Sequence, residues 1–204
     1  MTKIAIAQIQ SSTEKAVNLK RARHRIDEAK SQGAEIIAFP EFLMAFSPAS
    51  QSAEELTAVA ETVDGPFIRT LCDHAKAAKL GVLAAIYESS PIANRVYDSA
   101  VWIDAAGDIA SVYRKLHLYD AFGFKESDKF HPGDDIAPLF NFGDAHCGTM
   151  ICYDLRFPEL ARLLTLDGAN ILFAPSGWVQ GDLKVEHWQT MIKARALENG
   201  CFVI

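Results

Sequence analysis

Short apolar runs of strand length alternate with segments of helical period along nearly all of the 204 residues, and no other feature limits the fold as tightly. Residues 3–10 read as a strand. Residues 14–32 place Leu19, Ala22, Ile26 and Ala29 on one helical face, and Gly33 stands where a left-handed residue ends a helix. Residues 35–39 form an all-apolar run of the kind buried on both faces of a parallel sheet. Helical stretches follow at 52–62 and, after the Gly65-Pro66 break, to about residue 79. A strand covers 82–87. Residues 95–104 and 109–114 are strand-like, with a turn at 105–108 between them. A long polar and aromatic loop spans 117–135. Strands at 138–142, 145–151 and 170–174 then interleave with helices at 157–166 and 183–199. Interleaved elements with hairpins in the middle predict an α/β chain with mixed sheets.

Length and charge narrow the class. The chain fits one domain, residues 1–204, better than two small ones. Half of its residues are hydrophobic, enough for a substantial core. With 26 acidic against 20 basic residues the net charge is −6, which argues against a nucleic-acid partner. No apolar run approaches the roughly 18 residues of a membrane span, and residues 1–10 lack a signal-peptide pattern, so a cytoplasmic location is expected. The four cysteines show neither CxxC nor finger spacing, and free thiols with no metal are expected.

Cys152 lies where the apolar run 145–151 stops and a helical pattern starts. At such a junction, helix-terminal amides favour a thiolate and can bind an oxyanion. A thiol attacking a carbonyl needs a base, and Glu41 follows a buried strand and Pro40, where desolvation is expected to raise its pKa toward that of a working base. It also needs positive charge near the developing oxyanion, and Lys115 ends another strand. All three stand at carboxyl ends of strand candidates, where α/β sheets build their sites.

The segments Phe39-Pro40-Glu41-Phe42, Tyr113-Arg114-Lys115-Leu116-His117 and Ile151-Cys152-Tyr153-Asp154-Leu155-Arg156-Phe157-Pro158-Glu159 occur in that order. Together they resemble the nitrilase, or carbon-nitrogen hydrolase, superfamily, and most closely its omega-amidase and deaminated glutathione amidase branch. Ala174-Pro175-Ser176-Gly177, Glu186-His187-Trp188 and the run 194–199 extend the likeness. The resemblance implies a four-layer α-β-β-α sandwich and a Glu-Lys-Cys triad. Glu41 would be the base, Lys115 the oxyanion stabiliser and Cys152 the nucleophile of an amidase that acts on a small carboxamide through a thioester. An N-carbamoyl amine or amino acid hydrolase using the same triad is the alternative. The resemblance further implies that Glu126 positions substrate or supports Lys115, that the Tyr153 amide joins the oxyanion site, and that Tyr119 and Trp178 border the pocket, with Phe124 a further candidate. It implies no cofactor, no metal, and a homodimer or higher homo-oligomer.

Several readings stay open. Asp154 and Arg156 could hold a substrate carboxylate or pair with each other to brace the turn. A Cys-His enzyme could be built from Cys152 with His117 or His187. The apolar run 201–204 is an unusual terminus, and members of the family continue beyond it. A chain lacking its C-terminal part, and of low activity, is therefore also an expectation.

Overall fold

The computed structural model describes residues 2–204, and the expected alternation is present element by element. Sheet one has the strand order β1-β2-β3-β4-β5. Its strands are β1 (Ile4–Ile6), β2 (Ile36–Ala38), β3 (Gly81–Ser89), β4 (Val96–Ile103) and β5 (Ile109–Arg114). The first three are parallel, and β4 and β5 return as antiparallel hairpin partners. Sheet two has the order β6-β7-β8-β9: β6 (Phe140–Phe142), β7 (Ala145–Thr149), β8 (Ile171–Phe173) and β9 (Phe202–Val203). There β6 is antiparallel to β7, and β7, β8 and β9 are parallel.

Helices cover the outer faces. The helices α1 (Lys15–Ser31), α2 (Ala53–Val59) and α3 (Pro66–Ala78) belong to sheet one, while α4 (Pro158–Leu166) and α5 (Lys184–Asn199) belong to sheet two. Period-two alternation explains the layering, because successive side chains leave a strand on opposite faces. Ile37, Val82, Ala84, Val101 and Ile103 join the core beneath α1 and α3. Ile36, Leu83, Ala100 and Trp102 point the other way and join Phe140, Cys147 and Phe173 of sheet two. Trp102 is the main tie between the sheets. Its ring stacks on Phe140 at 4.4 Å, meets Phe173 edge-on at 4.9 Å, and its Nε1 donates to Thr149 Oγ1 at 2.8 Å. The result is the expected α-β-β-α sandwich.

One helix face departs from expectation. On α1 it is Asn18, with Ala22, Ile26 and Ala29, that is buried, while Leu19 is only half-buried. Asn18 Nδ2 donates to the carbonyls of Ser12 and Met44 at 2.7 and 3.1 Å, and its Oδ1 accepts from the Ser12 amide at 2.8 Å. A polar side chain is retained inside because it satisfies backbone groups of two loops that have no ladder partner.

Candidate active site

Topology brings five remote segments to one place. Because β2 and β3 are parallel, β4 reverses and β5 reverses again, the end of β2, the start of β4 and the end of β5 share one rim of sheet one. That rim carries Glu41, Asp98 and Lys115. The parallel strands β7 and β8 likewise end together, carrying Cys152 and Gly177 on the facing rim of sheet two.

Lys115 is the centre of the cluster. It continues the β5 ladder, its amide donating to the Asp98 carbonyl at 2.9 Å. Its Nζ, on a side chain 2% exposed, donates to Glu41 Oε1 at 2.9 Å and Glu126 Oε1 at 3.0 Å, and lies 3.5 Å from Asp98 Oδ2. Burial alone would push the ammonium down, but the charges of Glu41, Glu126 and Asp98 together hold it well above its usual value. Lys115 is therefore a fixed cation.

Glu41 sits in the loop that leaves β2, followed by Phe42 in the left-handed region with φ 61°. Its Oε2 accepts from the Gly177 amide at 2.5 Å. Its place after a buried strand and Pro40 predicts a pKa raised by burial. Burial does act in that direction, but the Lys115 charge and the hydrogen bonds from Lys115 and Gly177 outweigh it, and the carboxyl lies below its usual value. The expected thiolate is corrected too. Burial first, then the Glu41 carboxylate beside it, push the Cys152 thiol well above the ordinary range, against the opposing pull of Lys115. The resting pair is a carboxylate and a neutral thiol.

Cys152 itself has φ 45°, a left-handed conformation that a non-glycine residue adopts only when its surroundings impose it. They do so through backbone bonds. The Cys152 amide donates to the Pro175 carbonyl at 3.0 Å and the Asp154 amide to the Ile151 carbonyl at 2.9 Å. The Tyr153 amide between them has no backbone acceptor among the described residues. No long helix starts at Cys152. A single 3₁₀ turn, Cys152–Arg156, precedes α4.

Asp154 and Arg156 do not pair. Asp154 is wholly buried and accepts four hydrogen bonds: from Tyr113 Oη at 2.7 Å, the Ile151 amide at 2.8 Å, the His117 amide at 3.0 Å, and His117 Nδ1 at 2.7 Å. It fastens the turn after β7 to the end of β5. His117 is thereby committed to Asp154 and stacked on Phe157 at 3.6 Å, and His187 lies 3.4 Å from the Arg156 guanidinium. The largest charges acting on the Cys152 thiol are those of Glu41, Lys115 and Glu126, not an imidazole.

Around the cluster lies an aromatic rim. Glu126, in the 3₁₀ turn Glu126–Asp128, also accepts from the Tyr119 amide at 2.6 Å. Burial raises its pKa, with Glu41 adding to the rise and Lys115 opposing it. The Tyr119 ring packs on Tyr153 at 5.0 Å and Phe124 at 5.2 Å, and its hydroxyl accepts from Lys184 Nζ at 2.9 Å. Trp178 packs on Trp188 at 5.1 Å. The Arg156 guanidinium lies 5.5 to 5.7 Å from the rings of Phe122, Tyr153 and Trp178, with a buried Nε that has no hydrogen-bond partner.

Sequence reasoning did not single out Asp98, Gly177 or Lys184. An acid inside the strand-like run 96–103 was the available signal for the first. Gly177 ends the tetrapeptide after β8, but only the fold shows that its amide reaches Glu41.

A two-sheet sandwich with a carboxylate, an ammonium and a thiol gathered at facing strand ends defines an α/β protein with a cysteine-centred site. Comparison with known proteins is more specific. The profile of the Carbon-nitrogen hydrolase family matches residues 3–204, and the chain belongs to that family. It is 37% identical over 178 residues to a deaminated glutathione amidase of Escherichia coli O157:H7, an alignment spanning 87% of this chain and 66% of that protein. It is 34% identical over 211 residues to a deaminated glutathione amidase of Synechocystis sp., spanning 98% of this chain and 75% of that protein. The crystal structure of the C. elegans NitFhit protein superposes on all of this chain and 51% of its own, with a TM-score of 0.89 at 26% identity. The chain thus spans between half and three quarters of these three proteins. Among the described residues no helix is long and apolar enough to cross a membrane.

Proposed function

We propose that this chain carries the catalytic centre of an amidase that converts a small carboxamide to its acid and ammonia. The observation that supports it most is the convergence of Glu41, Lys115, Glu126 and Cys152, drawn from four separate segments around one fixed ammonium. The thiol proton passes to Glu41 as Cys152 Sγ bonds to the amide carbon. The new oxyanion is held by Lys115 and the Tyr153 amide. Collapse of the tetrahedral intermediate breaks the C–N bond, Glu41 returns the proton to the leaving nitrogen, and ammonia departs from a thioester. Water deprotonated by Glu41 then attacks, releasing the acid and the thiol. Glu126 keeps Lys115 aimed.

Arg156 and Lys184 favour an amide whose far end is a carboxylate, because both are held at the aromatic rim without a carboxylate partner among the described residues. Deaminated glutathione amidase is the name of two relatives, and a substrate of that anionic kind fits. A cytoplasmic enzyme assembled as a homodimer completes the reading, with the exposed Leu163, Leu166 and Leu197 of α4 and α5 as an apolar face.

Ammonia release from a panel of carboxylate-bearing amides, neutral amides and N-carbamoyl compounds is the test. Turnover of the first group, lost in Cys152→Ala, is expected. Turnover confined to N-carbamoyl compounds would replace the amidase reading, and equal turnover in Cys152→Ala would end both.

A further inference from the structure

Three carboxylates meet one ammonium in the cluster. The nearest oxygens of Glu41, Asp98 and Glu126 lie within 4.8 Å of one another, around Lys115 Nζ. If all three were ionised, three negative charges against one positive would leave two uncompensated in a site where the Glu41 and Asp98 side chains are 1% exposed and that of Glu126 only 10%. Buried charge of that kind is relieved most cheaply by binding a proton.

The distribution of donors says which carboxylate takes it. Glu41 accepts from Lys115 and from the Gly177 amide. Glu126 accepts from Lys115 and from the Tyr119 amide. Asp98 Oδ2 is wholly buried and accepts from nothing. Asp98 is held to this face of the sheet, because its strand is fixed on both sides: Tyr87 of β3 stands opposite it, and the Lys115 amide bonds its carbonyl.

We propose that Asp98 is a positioning residue that resides in this site as a neutral carboxylic acid and donates its proton to Glu41. In that form it removes one of the two surplus charges, keeps Glu41 anionic, and leaves Lys115 directed between Glu41 and Glu126. The groups facing it are Glu41 from the loop after β2, the Tyr87 hydroxyl from β3, Lys115 from β5, Glu126 from its 3₁₀ turn, and the Cys152 thiol beyond Glu41. Burial and the Glu41 charge raise the proton affinity of Asp98 in the same sense. Asp98 acts through Glu41 and touches no reacting atom. The inference goes beyond the amidase reading and does not depend on it.

The experiment uses the full chain labelled with ¹³C at aspartate side-chain carboxyls. In an NMR pH titration, one aspartate carbon is expected to keep the shift of a protonated acid at neutral pH and to vanish in Asp98→Asn, with Asp98→Ser as the second assignment variant. Disappearance of every protonated signal above about pH 5, as for ordinary aspartates, overturns the proposal, and so does a protonated signal that survives both substitutions. A second arm separates positioning from bulk structure. Asp98→Ala should lower kcat by about tenfold or more with KM little changed, and Asp98→Asn, which still donates to Glu41, should recover most of it. An equal loss in both variants, each folded, would mean that an ionised Asp98 is required. The NMR arm needs no turnover and stays decisive if the chain hydrolyses no amide.

Discussion

At the scale of single residues, the state of Cys152 decides how the site behaves before substrate arrives. A thiol held above its usual pKa is unreactive toward stray electrophiles, so iodoacetamide alkylation should be slow at neutral pH and should accelerate as pH rises past about 8.5, the value of an unperturbed thiol. The sign for stability follows. Above about 8.5 the unfolded chain loses the Cys152 proton while the folded one keeps it, so wild-type stability falls with rising pH, and Cys152→Ala should escape that part of the fall. Melting curves of the two proteins that stay parallel from neutral to alkaline pH would contradict this. Lys115 carries the opposite role. Lys115→Met leaves two buried carboxylates without their cation, at a cost of about 3–5 kcal/mol of stability, and should lower kcat by about 10²–10³. Denaturant unfolding and steady-state kinetics report the two effects separately. Gly177 is a finer probe. A Cβ there would stand 2.9 Å from the Phe42 ring and 3.2 Å from Glu41 Oε2, so Gly177→Ala should displace the base and cost about tenfold to a hundredfold in kcat while leaving the fold intact.

At the scale of elements, the sequence was readable wherever period and punctuation were local. The order of strands and helices, the Gly65-Pro66 start of α3, the 105–108 turn and the strand-end positions of Glu41, Lys115 and Cys152 all follow from short stretches of chain. What could not be read depends on register between distant strands. Asp98 reaches Lys115 only because β4 pairs with β5 in the observed register, and a one-residue slip would turn Asp98 to the other face. Asp154 and Arg156 lie two positions apart in the 3₁₀ turn, yet the first is absorbed by groups on β5 and the second is left with aromatic neighbours. Asn18 is the corresponding surprise on α1, since a helical period does not tell that two loops need donors. Asn18→Leu should preserve the helix yet cost about 2–4 kcal/mol, because the Ser12 amide and the Met44 carbonyl lose their partner, while the Ser12 carbonyl keeps only the Phe46 amide. A loss under 1 kcal/mol in denaturant unfolding would show that water replaces them.

At the scale of the whole molecule, the two sheets are joined by packing and by buried polar contacts, from Trp102 Nε1 to Thr149 Oγ1 and from Tyr113 Oη to Asp154. Two bonds close to the site add to them: the Gly177 amide on Glu41 crosses from the end of β8 to the loop after β2, and the Cys152 amide bonds Pro175 of that same short segment. Residues 175–177 therefore touch the base with one end and the nucleophile with the other. The spacing between the two reacting groups is gauged by two peptide units of covalent chain rather than by the soft apolar seam between the sheets. Heating or compressing that seam would shift whole layers, but base and nucleophile would travel together, as two marks on one ruler.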